Sequence, residues 1–135
     1  MKCVIMGAGK IARGFIGHLL YLNEIPFTFV EKFDGLVDLI NERGQYTVNI
    51  LGNSEKNCVV KNAKAIHFSQ IEEIAEAIAE ATVVFTSVGG KNLGEFAQLQ
   101  RRIQAIHMDL PHCHQRNSHF PEEEEDHSYA FSEQL

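Results

Sequence analysis

Apolar and polar positions repeat along this chain with two different periods, and the switches between the periods mark out elements. A short apolar run over residues 3–6 breaks at Gly7 and predicts a buried strand. Apolar residues then recur at Ile11, Phe15, Leu19 and Leu22, in steps of four, four and three, which predicts a helix. After a turn at residues 23–26, Phe-Thr-Phe-Val-Glu over 27–31 predicts a second strand. Residues 33–35 open a second helix with Asp34 as N-cap. Leu36, Val37, Leu39 and Ile40 then face the sheet, and Gly44 is the C-terminal stop.

The second half continues the alternation with one interruption. Residues 45–51 alternate and are rich in β-formers, 52–57 carry turn chemistry, and 58–60 return, so a β-hairpin is expected. Residues 65–68 predict another short strand. Ser69 followed by Glu72 reads as a capping box, opening a helix that runs to about Glu80. Ile71, Ile74, Ala75 and Ile78 form its apolar face, and Glu72, Glu73, Glu76 and Glu80 its solvated one. Residues 82–88 predict a further buried strand ending in Gly89-Gly90-Lys91-Asn92. A helix follows from Leu93 to about Ile106, with Phe96, Leu99 and Ile103 on its apolar side. Strands alternating with helices predict an α/β, doubly wound, mainly parallel sheet with an inserted hairpin.

The first strand-to-helix junction carries the chemistry. Gly7-Ala8-Gly9-Lys10-Ile11-Ala12 fits the dinucleotide fingerprint G-x-G-x-x-G/A, with strand before it and helix after. Gly7 allows a sharp turn out of the strand, and Gly9 leaves the backbone open to a pyrophosphate. Ala12 is small enough for close helix–strand packing. The unpartnered amides of the first helical turn, at the positive end of the helix dipole, suit a phosphate. Glu31 lies at the distance where this fold places a carboxylate on the adenosine ribose hydroxyls. A carboxylate there repels a 2′-phosphate, which favours NAD over NADP, and Lys32 beside it softens that preference. Ser87, Val88 and Gly89, at the carboxyl end of a later strand, are expected to border the cofactor. His67 has no acidic or cysteine partner near it in sequence and reads as a structural or surface histidine.

Composition narrows the partners. The 135 residues suffice for one domain with a core, and 44% hydrophobic with 22% charged residues is ordinary globular composition. A net charge of −6 argues against nucleic acid and anionic membranes as partners. No apolar run is long enough to span a bilayer, and the N-terminus has no signal-peptide core, so a soluble cytoplasmic protein is expected. Cys3, Cys58 and Cys113 are odd in number and scattered, implying no disulfide framework.

The segment Gly7-Ala-Gly-Lys-Ile-Ala-Arg-Gly-Phe-Ile-Gly17, the strand Thr28-Phe-Val-Glu31, the hairpin and Thr86-Ser-Val-Gly89 together carry a family resemblance. Over about residues 1–96 the chain resembles the N-terminal domain of the mannitol-1-phosphate 5-dehydrogenases, within the polyol-specific long-chain dehydrogenases. Ala12 stands where that family usually has Gly, and Lys10 where it often has Asn. The resemblance implies a Rossmann-like α/β domain, which the helix pattern carries on to give a domain over residues 1–106. It also implies NAD bound across Gly7, Ala8, Gly9, Lys10, Ile11, Ala12, Arg13 and Gly14, with Glu31 on the ribose. The implied reaction converts mannitol 1-phosphate and NAD to fructose 6-phosphate and NADH. The family's catalytic lysine sits in a helical C-terminal domain that no segment here matches, so no catalytic residue is assigned, and a sugar-phosphate substrate requires that domain to be supplied. The alternative is a non-catalytic nucleotide-binding module acting with a partner chain.

From Gln98 onward the composition changes. Five histidines and the run Glu122–Asp126 crowd the last 29 residues, and residues 107–135 read as a poorly ordered tail. His112-Cys113-His114 with His119 offers metal ligands, but the spacing matches no standard zinc site, so no metal is assigned. The abruptness suggests a change of reading frame near residue 97. Without the covering domain, exposed strand ends and an apolar face predict self-association.

Overall fold

The computed structural model describes residues 1–108. Of the expected tail, residues 109–135, with four of its five histidines, lie outside the described residues, and residues 107–108 are helical rather than part of a poorly ordered tail.

Among the described residues six strands form two sheets. β1 (Cys3–Met6), β2 (Phe27–Glu31), β5 (Ala65–His67) and β6 (Val83–Thr86) make a parallel sheet in the order β5-β2-β1-β6. β1 is central, pairing Ile5 with Phe29 on one side and with Phe85 on the other. β3 (Gln45–Val48) and β4 (Cys58–Lys61) form a separate antiparallel pair, the expected hairpin. Helical backbone covers residues 10–22, as a π-helical segment, Ala12–Gly17, running into α1, His18–Leu22. The other helices are α2 (Asp34–Arg43), α3 (Ile71–Glu80) and α4 (Leu93–Met108).

Strand pleating explains the layers. Successive side chains of β1 point to opposite faces. Cys3 and Ile5 enter a core with Ala12, Leu20, Phe29, Val37 and Ile40, beneath the first two helices. Val4 and Met6 enter a second core with Val30, Ile66, Ile74, Leu99 and Ile103, beneath α3 and α4. Both faces are therefore covered, as a parallel sheet requires, and every residue of β1 is buried. Full burial of side chains such as Phe29 and Ile74 stabilises by about 1.5–3 kcal/mol each.

Several local expectations are corrected. Ile11, Phe15, Leu19 and Leu22, whose spacing marks the first helix, are 46–68% exposed. The inner face is Ala12, Ile16 and Leu20, because small Ala12 and Gly17 let the helix approach the sheet. Leu39 is 40% exposed, and Val37 and Ile40 carry the burial of α2. The first hairpin strand stops at Val48, since the Ile50 amide donates to the Asn57 side chain (2.8 Å) rather than to a ladder. Gln70, not Ser69, precedes α3, because Ser69 is turned onto the His67 ring. Phe33 precedes α2, and Asp34 lies in its first turn. β6 is an edge strand with Val83 and Val84 substantially exposed, not a buried one. Gly44 ends α2 at φ 60, as expected. Among the described residues no helix is long and apolar enough to cross a membrane.

Candidate functional site

The carboxyl ends of β2, β1 and β6 converge where the direction of winding reverses, and the glycine turn lies there. Gly7 has φ +97, a backbone conformation that disfavours any side chain. A Cβ on it would collide with the Ser87 carbonyl oxygen and come within 3.1 Å of Val88 Cγ1. The turn is pinned on both sides. The Gly7 amide donates to the Val30 carbonyl (2.7 Å), and the Ser87 amide donates to the Met6 carbonyl (2.8 Å). Gly7 is thus required by the close approach of the β6 exit.

Gly9 is different. A Cβ there would meet nothing within 4 Å, so its missing side chain leaves open space outside the turn. The first intrahelical bond runs from the Arg13 amide to the Gly9 carbonyl (3.0 Å), so the amides just before Arg13 lack intrahelical partners. Lys10 and Ile11 are exposed at this helix start. Ala12 is fully buried against the sheet and acts through packing alone. Arg13 Nε donates to the Ala8 carbonyl (2.8 Å), tying the turn to the helix. Gly14 is exposed one turn on, with open space around it.

Glu31 closes the site from β2. Its Oε2 accepts the Ala8 amide (2.8 Å), and its Oε1 accepts the amides of Lys32 (2.9 Å) and Phe33 (3.1 Å). The carboxylate therefore stands directly against the glycine turn, half-buried, at the end of the strand beside β1. Ser87 and Val88 border the same turn, while Gly89 lies one step further and opens a 3₁₀ turn, Gly90–Asn92. Such a set fits a dinucleotide: open backbone at Gly9, amides without intrahelical partners at a helix start, and a carboxylate against the glycine turn at the end of the neighbouring strand.

Three contacts at this end have no counterpart in the sequence reading. Lys32 Nζ donates to Asn92 Oδ1 (2.7 Å) and pairs with Glu95 Oε2 (3.0 Å). His67 does have an acidic partner: its Nε2 lies 2.8 Å from Asp34 Oδ1, and its Nδ1 accepts the Ser69 amide (3.2 Å). That ring braces the loop after β2 against the end of β5. Tyr46, from the hairpin, donates its hydroxyl to the Arg13 carbonyl (3.0 Å). The tyrosine crosses the helix at Gly17, where a Cβ would lie 2.5 Å from its hydroxyl oxygen. Burial pushes the Tyr46 phenol well above its ordinary range, against a smaller opposing pull from Arg13. The π-helical turns fall on this same stretch, Ala12–Gly17, and such irregular turns concentrate at functional sites.

A model of the mannitol dehydrogenase Rossmann domain matches residues 1–119. The chain belongs to the mannitol dehydrogenase family. This match continues past residue 96, where the resemblance fades in the sequence alone. Curated relatives agree with the family. A mannitol-1-phosphate 5-dehydrogenase of Thermoanaerobacter pseudethanolicus is 41% identical over 114 residues, covering 82% of this chain and 29% of the relative. The enzyme of the same name from Clostridium acetobutylicum is 40% identical over 101 residues, covering 75% of this chain and 26% of that protein. The chain thus spans less than a third of the length of these relatives. As a mannitol dehydrogenase Rossmann domain, its parallel sheet and glycine turn imply a nucleotide cofactor.

Proposed function

We propose that this domain binds NAD and serves as the cofactor-binding part of an oxidoreductase acting on a sugar phosphate, with mannitol 1-phosphate and fructose 6-phosphate as the substrate pair. The observation that carries the reading is Glu31, whose carboxylate faces the glycine turn through the Ala8 amide. Such a carboxylate accepts hydrogen bonds from ribose hydroxyls and disfavours a 2′-phosphate. The two relatives above, named mannitol-1-phosphate 5-dehydrogenases, support the substrate class. Bound NAD supplies the hydride acceptor. The residues of this chain hold it: the amides after Gly9 receive the pyrophosphate, Arg13 stiffens the turn through the Ala8 carbonyl, and Ser87 and Val88 wall the other side. A Rossmann domain positions a hydride carrier and leaves proton transfer to other groups. No described residue is assigned that role.

Calorimetric titration of the 135-residue chain with NADH tests the proposal. Saturable one-to-one binding is expected, and Gly9→Val weakens it at least about tenfold by filling the space a phosphate needs. Circular dichroism confirms that the variant is folded. Absence of NADH binding, or binding that Gly9→Val leaves unchanged, rejects this site.

A further inference from the structure

Lys32 follows the ribose-facing carboxylate directly, and a cation at that place would suit a 2′-phosphate. Its ammonium is engaged elsewhere. Lys32 leaves the end of β2, and its Nζ reaches Asn92 and Glu95, which follow β6. In the order β2-β1-β6 these two ends flank β1, so the side chain spans the crevice above the β1 exit. Glu95 Oε2, at 3.0 Å, pairs with the lysine charge, and Asn92 Oδ1, at 2.7 Å, holds the ammonium on the β6 side. Glu31 keeps its carboxylate against the Ala8 amide without the Lys32 ammonium as a partner.

We infer that Glu95, with Asn92, is a specificity-determining residue: by holding Lys32 across the crevice it withholds the ammonium that follows Glu31 in the chain from the ribose 2′ position and sharpens the choice of NAD over NADP. This rests on the dinucleotide reading proposed above. The preference then belongs to Glu31 and Glu95 jointly. Glu31 repels a 2′-phosphate, and Glu95 prevents Lys32 from offsetting that repulsion. Both members of the pair are accessible, with side chains 42% and 55% exposed, so solvent and salt weaken the hold and the effect is modest. The same exposure lets Glu95 be changed without disturbing a core.

Fluorescence titrations of NADH and NADPH at low salt decide the matter, on the 135-residue chain and on Glu95→Gln, Lys32→Ala and the double variant. Glu95→Gln is expected to raise NADPH affinity relative to NADH by about fivefold, the scale of one exposed ion pair. That gain should vanish in the Lys32→Ala background and shrink in about 0.5 M salt. An unchanged NADPH-to-NADH ratio in Glu95→Gln, with NADH still bound, overturns this inference and leaves the dinucleotide site standing. A gain that persists without Lys32 also overturns it, since Glu95 would then act by its own charge. Failure of the unaltered chain to bind either nucleotide removes both proposals together.

Discussion

Gly7 and Gly9 stand two residues apart in one motif, yet their environments predict opposite responses to a methyl group. At Gly7 the backbone has φ +97, and an alanine Cβ would be driven into the Ser87 carbonyl. The strained backbone costs about 1–3 kcal/mol, and overpacking against Ser87 and Val88 adds about 1–3 kcal/mol. Neither neighbour can retreat easily, because Ser87 is held by its hydrogen bond to Met6 and Gly7 by its own to Val30. Gly7→Ala is therefore expected to lose about 2–6 kcal/mol of a total near 5–15 kcal/mol. At a urea slope of about 2 kcal/mol per molar, its unfolding midpoint falls by about 1–3 M. Gly9→Ala meets only open space and gives up a favourable capping residue, so its loss should not exceed about 1 kcal/mol. Urea denaturation followed by far-UV circular dichroism measures both. Equal losses in the two variants, or a Gly7→Ala loss below about 1 kcal/mol, would refute the assignment of Gly7 to β1–β6 closure.

Two further outcomes follow from the same geometry. Burial raises the Tyr46 phenol above its unfolded value of 10.0, and burial also raises the Cys3 thiol above 9.0. A raised folded value means the native state keeps protons that the unfolded state has released, so stability holds below pH 9 and declines as pH rises beyond each unfolded value. Tyr46→Phe should cost about 1 kcal/mol at neutral pH, for the lost bond to the Arg13 carbonyl. It should also flatten the decline above pH 10, as pH-dependent thermal melts would reveal; an undiminished slope there would exonerate the phenol. Phe15→Ser, on the exposed side of the first helix, should change stability by less than about 0.5 kcal/mol while lowering binding of an apolar dye and any concentration-dependent light scattering. A destabilisation of several kcal/mol would mean that Phe15 is part of the core.

Much of the architecture was legible in the residues. The glycine turn, the 2.0-residue and 3.6-residue periods, and Gly44 at a left-handed helix end are local signals, and local physics decides them. The first helix shows where such signals stop. Ile11, Phe15, Leu19 and Leu22 announce a helix correctly, but its orientation is set by Ala12 and Gly17, whose small size counts only against a neighbouring sheet and Tyr46. Ser69 has the chemistry of a cap, and His67 two positions away takes its amide. At the candidate site, Gly7 and Glu31 could be foreseen because their spacing is fixed by one strand–helix–strand unit. The partners Lys32–Glu95, Asp34–His67 and Tyr46–Arg13 could not, because each joins segments brought together only by strand order and register.

The position of β1 also dictates when the crevice comes into being. β1 is made well before β6, with which it pairs on one side, so that Cys3 must wait for Val83. Contacts so distant in sequence form late, after their loop-closure entropy has been met by other pairings. A nascent or partly folded chain with β1, β2 and the glycine turn already in place still lacks the Ser87 wall that seats Gly7. Nucleotide binding should therefore be a property of the completed sheet alone. A dinucleotide that recognises only that state raises the free energy of global opening and leaves local fraying untouched, which makes it a reporter of whether the whole domain has closed.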